Sequence, residues 1–213
     1  MSDGRAVPVK DLILVPSLIT LAITVLRLVG ELQSWSPALF SKAAGGGGSL
    51  IGISWLILVF GAWFGWRLTQ LGHGASGPLK VSGIALVVGL VVGLASFGIG
   101  KLAGQNGFFA AFIVGSIAAV FVTRSLWPAL WKTLLAYAFA ARVPVALVML
   151  FAILGNWGTH YDVPPPNFPD SYSPLVKWVL IGVLPQMTIW IYLTVVGGLL
   201  AGGIAGALAP KKA

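Results

Sequence analysis

Cysteine is missing from this chain altogether, which excludes disulfides, thiolate metal sites and thiol redox chemistry. Acidic residues are nearly as scarce, at five in 213 positions. No run combines a Walker-type glycine loop with Lys-Ser/Thr, and neither an HExxH nor a GxSxG motif occurs. No pair of carboxylates falls within one apolar run, so the usual basis for proton-coupled transport is absent too. Known enzyme chemistry therefore has little foothold, and nothing in the sequence implies a cofactor or a metal.

Charge of either sign is also sparse. Asp, Glu, Lys and Arg together make up 8% of the residues, against about a quarter in an ordinary soluble domain. Hydrophobic residues reach 58%, so a water-facing surface of normal composition cannot be built from this chain. Several apolar runs approach the roughly 20 residues needed to cross about 30 Å of hydrocarbon as helix. The fold class is an all-α polytopic membrane protein forming one integral membrane domain over residues 1–213. The formal net charge of +8 does not point to nucleic acid, because the cations are dispersed among apolar runs rather than gathered into a patch. The lipid bilayer is the expected partner.

The runs predict a bundle of six transmembrane helices, at about 12–31, 50–71, 79–102, 108–123, 133–154 and 176–200. The third and fourth form a hairpin through Ala103–Gly107. Pro144 and Pro185 predict kinks in the fifth and sixth, each removing a helical N–H. Six spans put Arg5, Lys10, Arg67, Lys80, Arg124, Lys132, Lys211 and Lys212 on one side, and only Lys42, Lys101 and Lys177 on the other. By the positive-inside bias both termini are cytoplasmic, with a bacterial plasma (inner) membrane as the default. Five spans, with the third or fourth run re-entrant, would break that asymmetry.

Two loops stand out on the opposite side. The first ends in Gly45-Gly-Gly-Gly48, a flexible tether by composition. The last carries Asn156-Trp-Gly-Thr-His-Tyr-Asp162 followed by a proline-rich stretch. His160 and Asp162 offer two metal ligands or a base and its orienter, but no third His or Cys lies nearby. The plainer reading is a headgroup-level loop. His73 sits in a glycine-rich turn on the other side, as a solvated loop residue.

Arg142 is the least expected residue, since a charge at bilayer depth costs roughly 2.5–3.5 kcal/mol on insertion scales. Its candidate partners are Tyr137 on the same helix, Gln186 and Tyr192 on the sixth span, and Glu31 on the first. Gln186 follows Pro185, so two spans each place a polar residue beside a proline and predict a polar seam. Arg27 and Glu31, four apart, are expected to pair locally while Arg27 snorkels to the interface.

Two functions compete on these residues. One is a small permease or channel-like protein handling a small solute or lipid group, with Arg142, Gln186 and Arg27 in the seam. The other is a non-catalytic membrane subunit or assembly factor, as a homo-oligomer or with a membrane-protein partner. Its packing faces would be Gly89/Gly93 and Gly198/Gly202/Gly206. A third reading, an enzyme with an outer-face site at His160 and Asp162, rests on that loop alone.

Overall fold

A computed structural model describes residues 6–46, 49–166 and 168–210, and all long regular structure among them is helical. Arg5, Gly47, Gly48, Lys211 and Lys212 lie outside the described residues. Five helices form: α1 (Val9–Leu32), α2 (Leu56–Gln70), α3 (Pro78–Val122), α4 (Pro128–Gly155) and α5 (Pro174–Leu208). All but α2 are long and apolar enough to cross a membrane.

The count is five rather than the six expected, because the third and fourth runs are one element. At 45 residues a straight α3 would measure about 67 Å, twice the thickness of a bilayer's hydrocarbon core. It does not run straight. Gly104 takes φ +71°, a conformation that only glycine adopts cheaply, and the chain turns back there. A Cβ on Gly115 would lie 3.2 Å from Val92, a pair that would stand about 35 Å apart on a straight helix. The expected five-residue connection has shrunk to one glycine between helical arms.

The second run also departs from expectation. Its helix begins at Leu56 rather than Leu50, and the preceding residues form turns against Arg27 and the first loop. In α5 the disturbance around Pro185 is spread over more than a kink. A π-helical stretch, Trp178–Val183, precedes the proline, and Thr188 leaves helical geometry at φ −121° and ψ −75°. Proline removes the N–H that would close the preceding turn, and the wider turn takes up the mismatch. Helix α4 is continuous through Pro144.

The core is centred on α5, which packs against α2, α3 and α4. Glycine sets how closely. A Cβ on Gly61 would sit 2.6 Å from the Gly198 Cα, and one on Gly202 would sit 2.7 Å from the Gly61 carbonyl oxygen. Gly206 faces Trp127 in the same way, and Gly203 faces the first turn of α3. The Gly198/Gly202/Gly206 stripe is thus consumed inside the chain. Gly89 lies near the Tyr192 hydroxyl, whereas Gly93 faces open space.

Aromatic side chains fill the centre. Phe60, Phe64 and Tyr137 meet edge to face, with centroids 5.5 Å from Tyr137 in both pairs. The Tyr137 hydroxyl shares a 2.7 Å hydrogen bond with Thr20, tying α1 to α4. Three indoles act as staples: Trp127, Trp131 and Trp178 donate to the carbonyls of His73, Val120 and Ala146, each at 2.7 Å. Trp127 is 2% exposed, so it belongs to the core rather than to an interfacial belt.

Helix α1 has an inverted pattern. Its inward stripe holds Thr20, Thr24, Arg27 and Glu31, while Leu14, Leu18, Leu21 and Val25 face outward and are exposed. α3 likewise exposes Leu86, Leu90, Leu94 and Phe97. Contiguous apolar faces of this extent suit lipid and not water.

Gly61→Ala is expected to destabilise the protein by roughly 1–3 kcal/mol, since its methyl group would press on the backbone of α5. Gly93→Ala, which meets open space, should leave stability unchanged or slightly raised. Thermal unfolding of the two purified variants against the parent protein checks the contrast.

Candidate functional site

The carboxylate of Glu31 is fully buried. Its Oε1 accepts from Arg27 Nε at 2.8 Å and lies 2.5 Å from His160 Nδ1. Its Oε2 accepts from the His160 backbone N–H at 2.8 Å. The expected Arg27–Glu31 pair is therefore formed, but it does not snorkel. Arg27 is 8% exposed and turns inward, where its Nη2 donates to the carbonyls of Ser41 and Gly46 at 3.2 and 3.0 Å. One carboxylate and one guanidinium thus hold together the end of α1, the first loop and the last loop.

This geometry changes the reading of the glycine tether. Gly46 supplies a carbonyl to Arg27, and its φ of +72° is in the left-handed region. A side chain there would also collide with the imidazole, a Cβ lying 2.9 Å from His160 Cδ2. In this part of the tether glycine serves close approach as much as freedom.

His160 and Asp162 do not form a dyad. Asp162 Oδ2 accepts from the Gly158 N–H at 2.9 Å, and its Oδ1 accepts from the Thr159 N–H and hydroxyl, both at 2.7 Å. These bonds fold Gly158–Asp162 into a tight turn, with positive φ at Gly158 and at Asn156, the residue that caps α4. The carboxylate is spent on the backbone, and His160 takes Glu31 as its partner. Tyr161, whose phenol is raised above its usual value by burial, donates its hydroxyl to the Thr24 carbonyl at 3.2 Å.

Burial holds the His160 imidazole below its ordinary value of 6.5, and the charge of Arg27 adds to that effect. The hydrogen bond to Glu31 and the charge of Asp162 pull the other way without overcoming it. Burial thus disfavours the charged ring, while Nδ1 keeps its hydrogen bond with Glu31.

Beneath this closed end lies a cavity of about 660 Å³, bounded by both loops and by α1, α3, α4 and α5. Arg27, Arg142, His160, Gln186 and Trp190 all line it. Arg142 is 3% exposed, and its guanidinium carbon lies 4.4 Å from the centroid of the Trp190 ring, a stacked cation–π contact. Its Nε has no hydrogen-bond partner among the described residues. Gln186 Nε2 approaches Met149 Sδ at 3.8 Å, while its Oε1 is buried without a partner.

Of the four expected partners of Arg142, Gln186 lines the same cavity. The others are engaged elsewhere: Tyr137 with Thr20, Tyr192 with the Gly89 carbonyl at 3.5 Å, and Glu31 with Arg27 and His160. Trp190, Thr20 and Thr24 were missed by sequence reasoning, which placed Thr159 and Tyr161 only in a headgroup-level loop. The two threonines had a signal: Thr20, Thr24, Arg27 and Glu31 recur every three or four residues along an apolar helix. Trp190 had a weaker one, one turn after Gln186. No group of three His, Asp or Glu residues gathers to hold a metal among the described residues.

The chain matches no known protein family, and neither the curated proteins nor the solved structures contain a match to it. Its function must be read from the geometry.

Glu31→Ala should cost roughly 3–5 kcal/mol, because Arg27 would remain buried without its counter-charge. Limited proteolysis of the 33–55 and 156–173 loops, beside thermal unfolding, would register it. The His160 shift gives a second expectation. With its folded value below 6.5, the unfolded chain takes up the proton first as pH falls. That contribution to stability is complete above about pH 6.5 and declines as pH drops toward the folded value. A melting profile between pH 7.5 and about 5 should fall more steeply for the parent than for His160→Asn.

Proposed function

We propose that this chain is a small permease-like membrane protein that handles a small solute or lipid group through the cavity between α1, α3, α4 and α5. The observation that carries this reading is the convergence of Arg142, Gln186, Arg27 and His160 on one cavity with otherwise largely apolar walls. A buried guanidinium with an open donor is costly in hydrocarbon and is compensated when a bound group completes it. A path of six crossings would take the two arms of α3 separately and lengthen α2, by itself short of a span, with its leading turns. The Lys and Arg asymmetry supports cytoplasmic termini in a plasma membrane. Arg27 and His160, both bonded to Glu31, line the cavity beside the two loops, where a permeation path would need a gate.

The subunit reading retains one specific support. Gly93 faces open space beside the exposed apolar side of α3, which leaves a surface for a second membrane protein. Its other support is weaker, since Gly198, Gly202 and Gly206 are occupied within the chain. An enzyme at His160 and Asp162 has the least, because Asp162 is committed to its own turn.

Proteoliposomes test the choice. The parent protein should move a fluorescent phospholipid between leaflets, read by dithionite quenching, or release an entrapped small organic anion. Arg142→Gln should reduce that rate by about tenfold or more, the effect of losing one charged contact, with elution and melting unchanged. Parallel loss of folded protein and rate would make Arg142 a packing residue. A stoichiometric membrane-protein partner on purification, with no flux, would favour the subunit.

A further inference from the structure

We infer that the occupant of the cavity is an amphiphilic oxyanion, with a carboxylate or phosphate head held by Arg142 and Gln186 and an apolar body along the surrounding walls. The inference rests on the cavity proposed above as the working site, and states what chemistry fills it.

Charge supplies the first argument. Among the described residues Arg27 forms an ion pair with Glu31 and His160 Nδ1 lies against the same carboxylate, and neither contact reaches Arg142. Arg27 is matched by Glu31, and Asp162, bound to the amides and hydroxyl of its own turn, does not line the cavity. Arg142 is therefore a cavity-lining cation with no carboxylate paired to it among the described residues. An unpaired cation matches an anionic head better than a neutral polar group or a cation.

Donor geometry supplies the second. The Trp190 ring lies 4.4 Å from the guanidinium carbon and takes no hydrogen bond from it, so the N–H edge remains for a ligand. That edge fits a carboxylate or phosphate with two parallel hydrogen bonds. The Nε donor of Arg142 and the Oε1 acceptor of Gln186 are the buried polar atoms on the cavity wall without a partner among the described residues. Gln186 is held only by the weak contact to Met149 Sδ, so a half-turn of its amide can present N–H donors to the same head.

The walls supply the third. Ile23, Phe109, Val145, Met149, Leu184 and Ile189 line the cavity. They can solvate an acyl chain or a hydrophobic ring and offer nothing to the hydration shell of a free inorganic ion. Arg142 lies about 20 Å along α4 from its last turn, well below the two loops. A head drawn to that depth belongs to a guest of the protein, since ordinary bilayer lipids keep their heads at the surface.

The test compares heads on one tail, using the full-length protein in a neutral glycosidic detergent. Decanoate, decyl phosphate, decanol, decyltrimethylammonium and inorganic phosphate are titrated by calorimetry and thermal shift. Decanoate or decyl phosphate should bind saturably, about tenfold or more tighter than decanol, with the cation and inorganic phosphate weaker still. Arg142→Gln should bring the anionic probe down to the decanol level and leave decanol unchanged, with Arg142→Lys between.

Equal binding of decanol and decanoate, or tighter binding of the cation, overturns the inference. Inorganic phosphate as tight as decyl phosphate overturns the amphiphile and identifies a free anion instead. If the Arg142 variants fail to fold, the head comparison on the parent protein decides alone. Flux without binding of any anionic probe would sink this inference and leave the permease reading. Saturable anion binding without flux would do the reverse.

Discussion

A carboxylate taken wholly out of water must find donors for its oxygens, and Glu31 finds three on two residues: Nε of Arg27, and Nδ1 and the backbone N–H of His160. Much at that end of the bundle follows. Arg27, drawn in to pair with the carboxylate, still has N–H groups to satisfy, and the first loop folds so that the Ser41 and Gly46 carbonyls reach it. The last loop must bring His160 to the same place, and the Asp162 turn holds it there. The low local dielectric strengthens each of these bonds and raises the penalty for losing any one.

The two halves of α5 pack by different rules. Beyond Thr188, Gly198 and Gly202 let the helix touch the backbone of α2, so that half is nearly solid. Before Thr188, the π stretch and Pro185 break the regular surface, and the neighbouring wall of α4 is the one carrying Arg142. The cavity lies where the glycine contacts stop. Close backbone approach and an accommodating void are thus built into one helix, the void lined on both sides of Thr188, as far as Trp190, and the contacts with α2 made further on at Gly198 and Gly202. In a membrane, where apolar burial drives helix association little, such close contacts carry much of the cohesion.

Arg142 and Glu31 answer the same problem in opposite ways. Glu31 is completed within the chain by side chains and backbone from three segments. Arg142 is supported on one face by an aromatic ring and left open at its donor edge. The closed charge anchors loops, and the open one marks the cavity as a place where something else can bind.

Composition and period alone determined that the chain is helical and suited to a membrane, because apolar runs of crossing length admit few other folds. They also determined the local pair Arg27–Glu31, since residues four apart share a helix face, and they singled out Arg142 and Gln186 as polar groups beside prolines. The inward polar stripe of α1 was equally legible by its spacing. Only the tertiary structure decided that His160, 129 residues away, completes Glu31, that Trp190 lies over Arg142, and that one glycine reverses α3. Those contacts depend on how helices rotate and approach one another. That is settled by the packing of Gly61 on Gly198 and of Tyr137 among its neighbours, not by any signal within a single run.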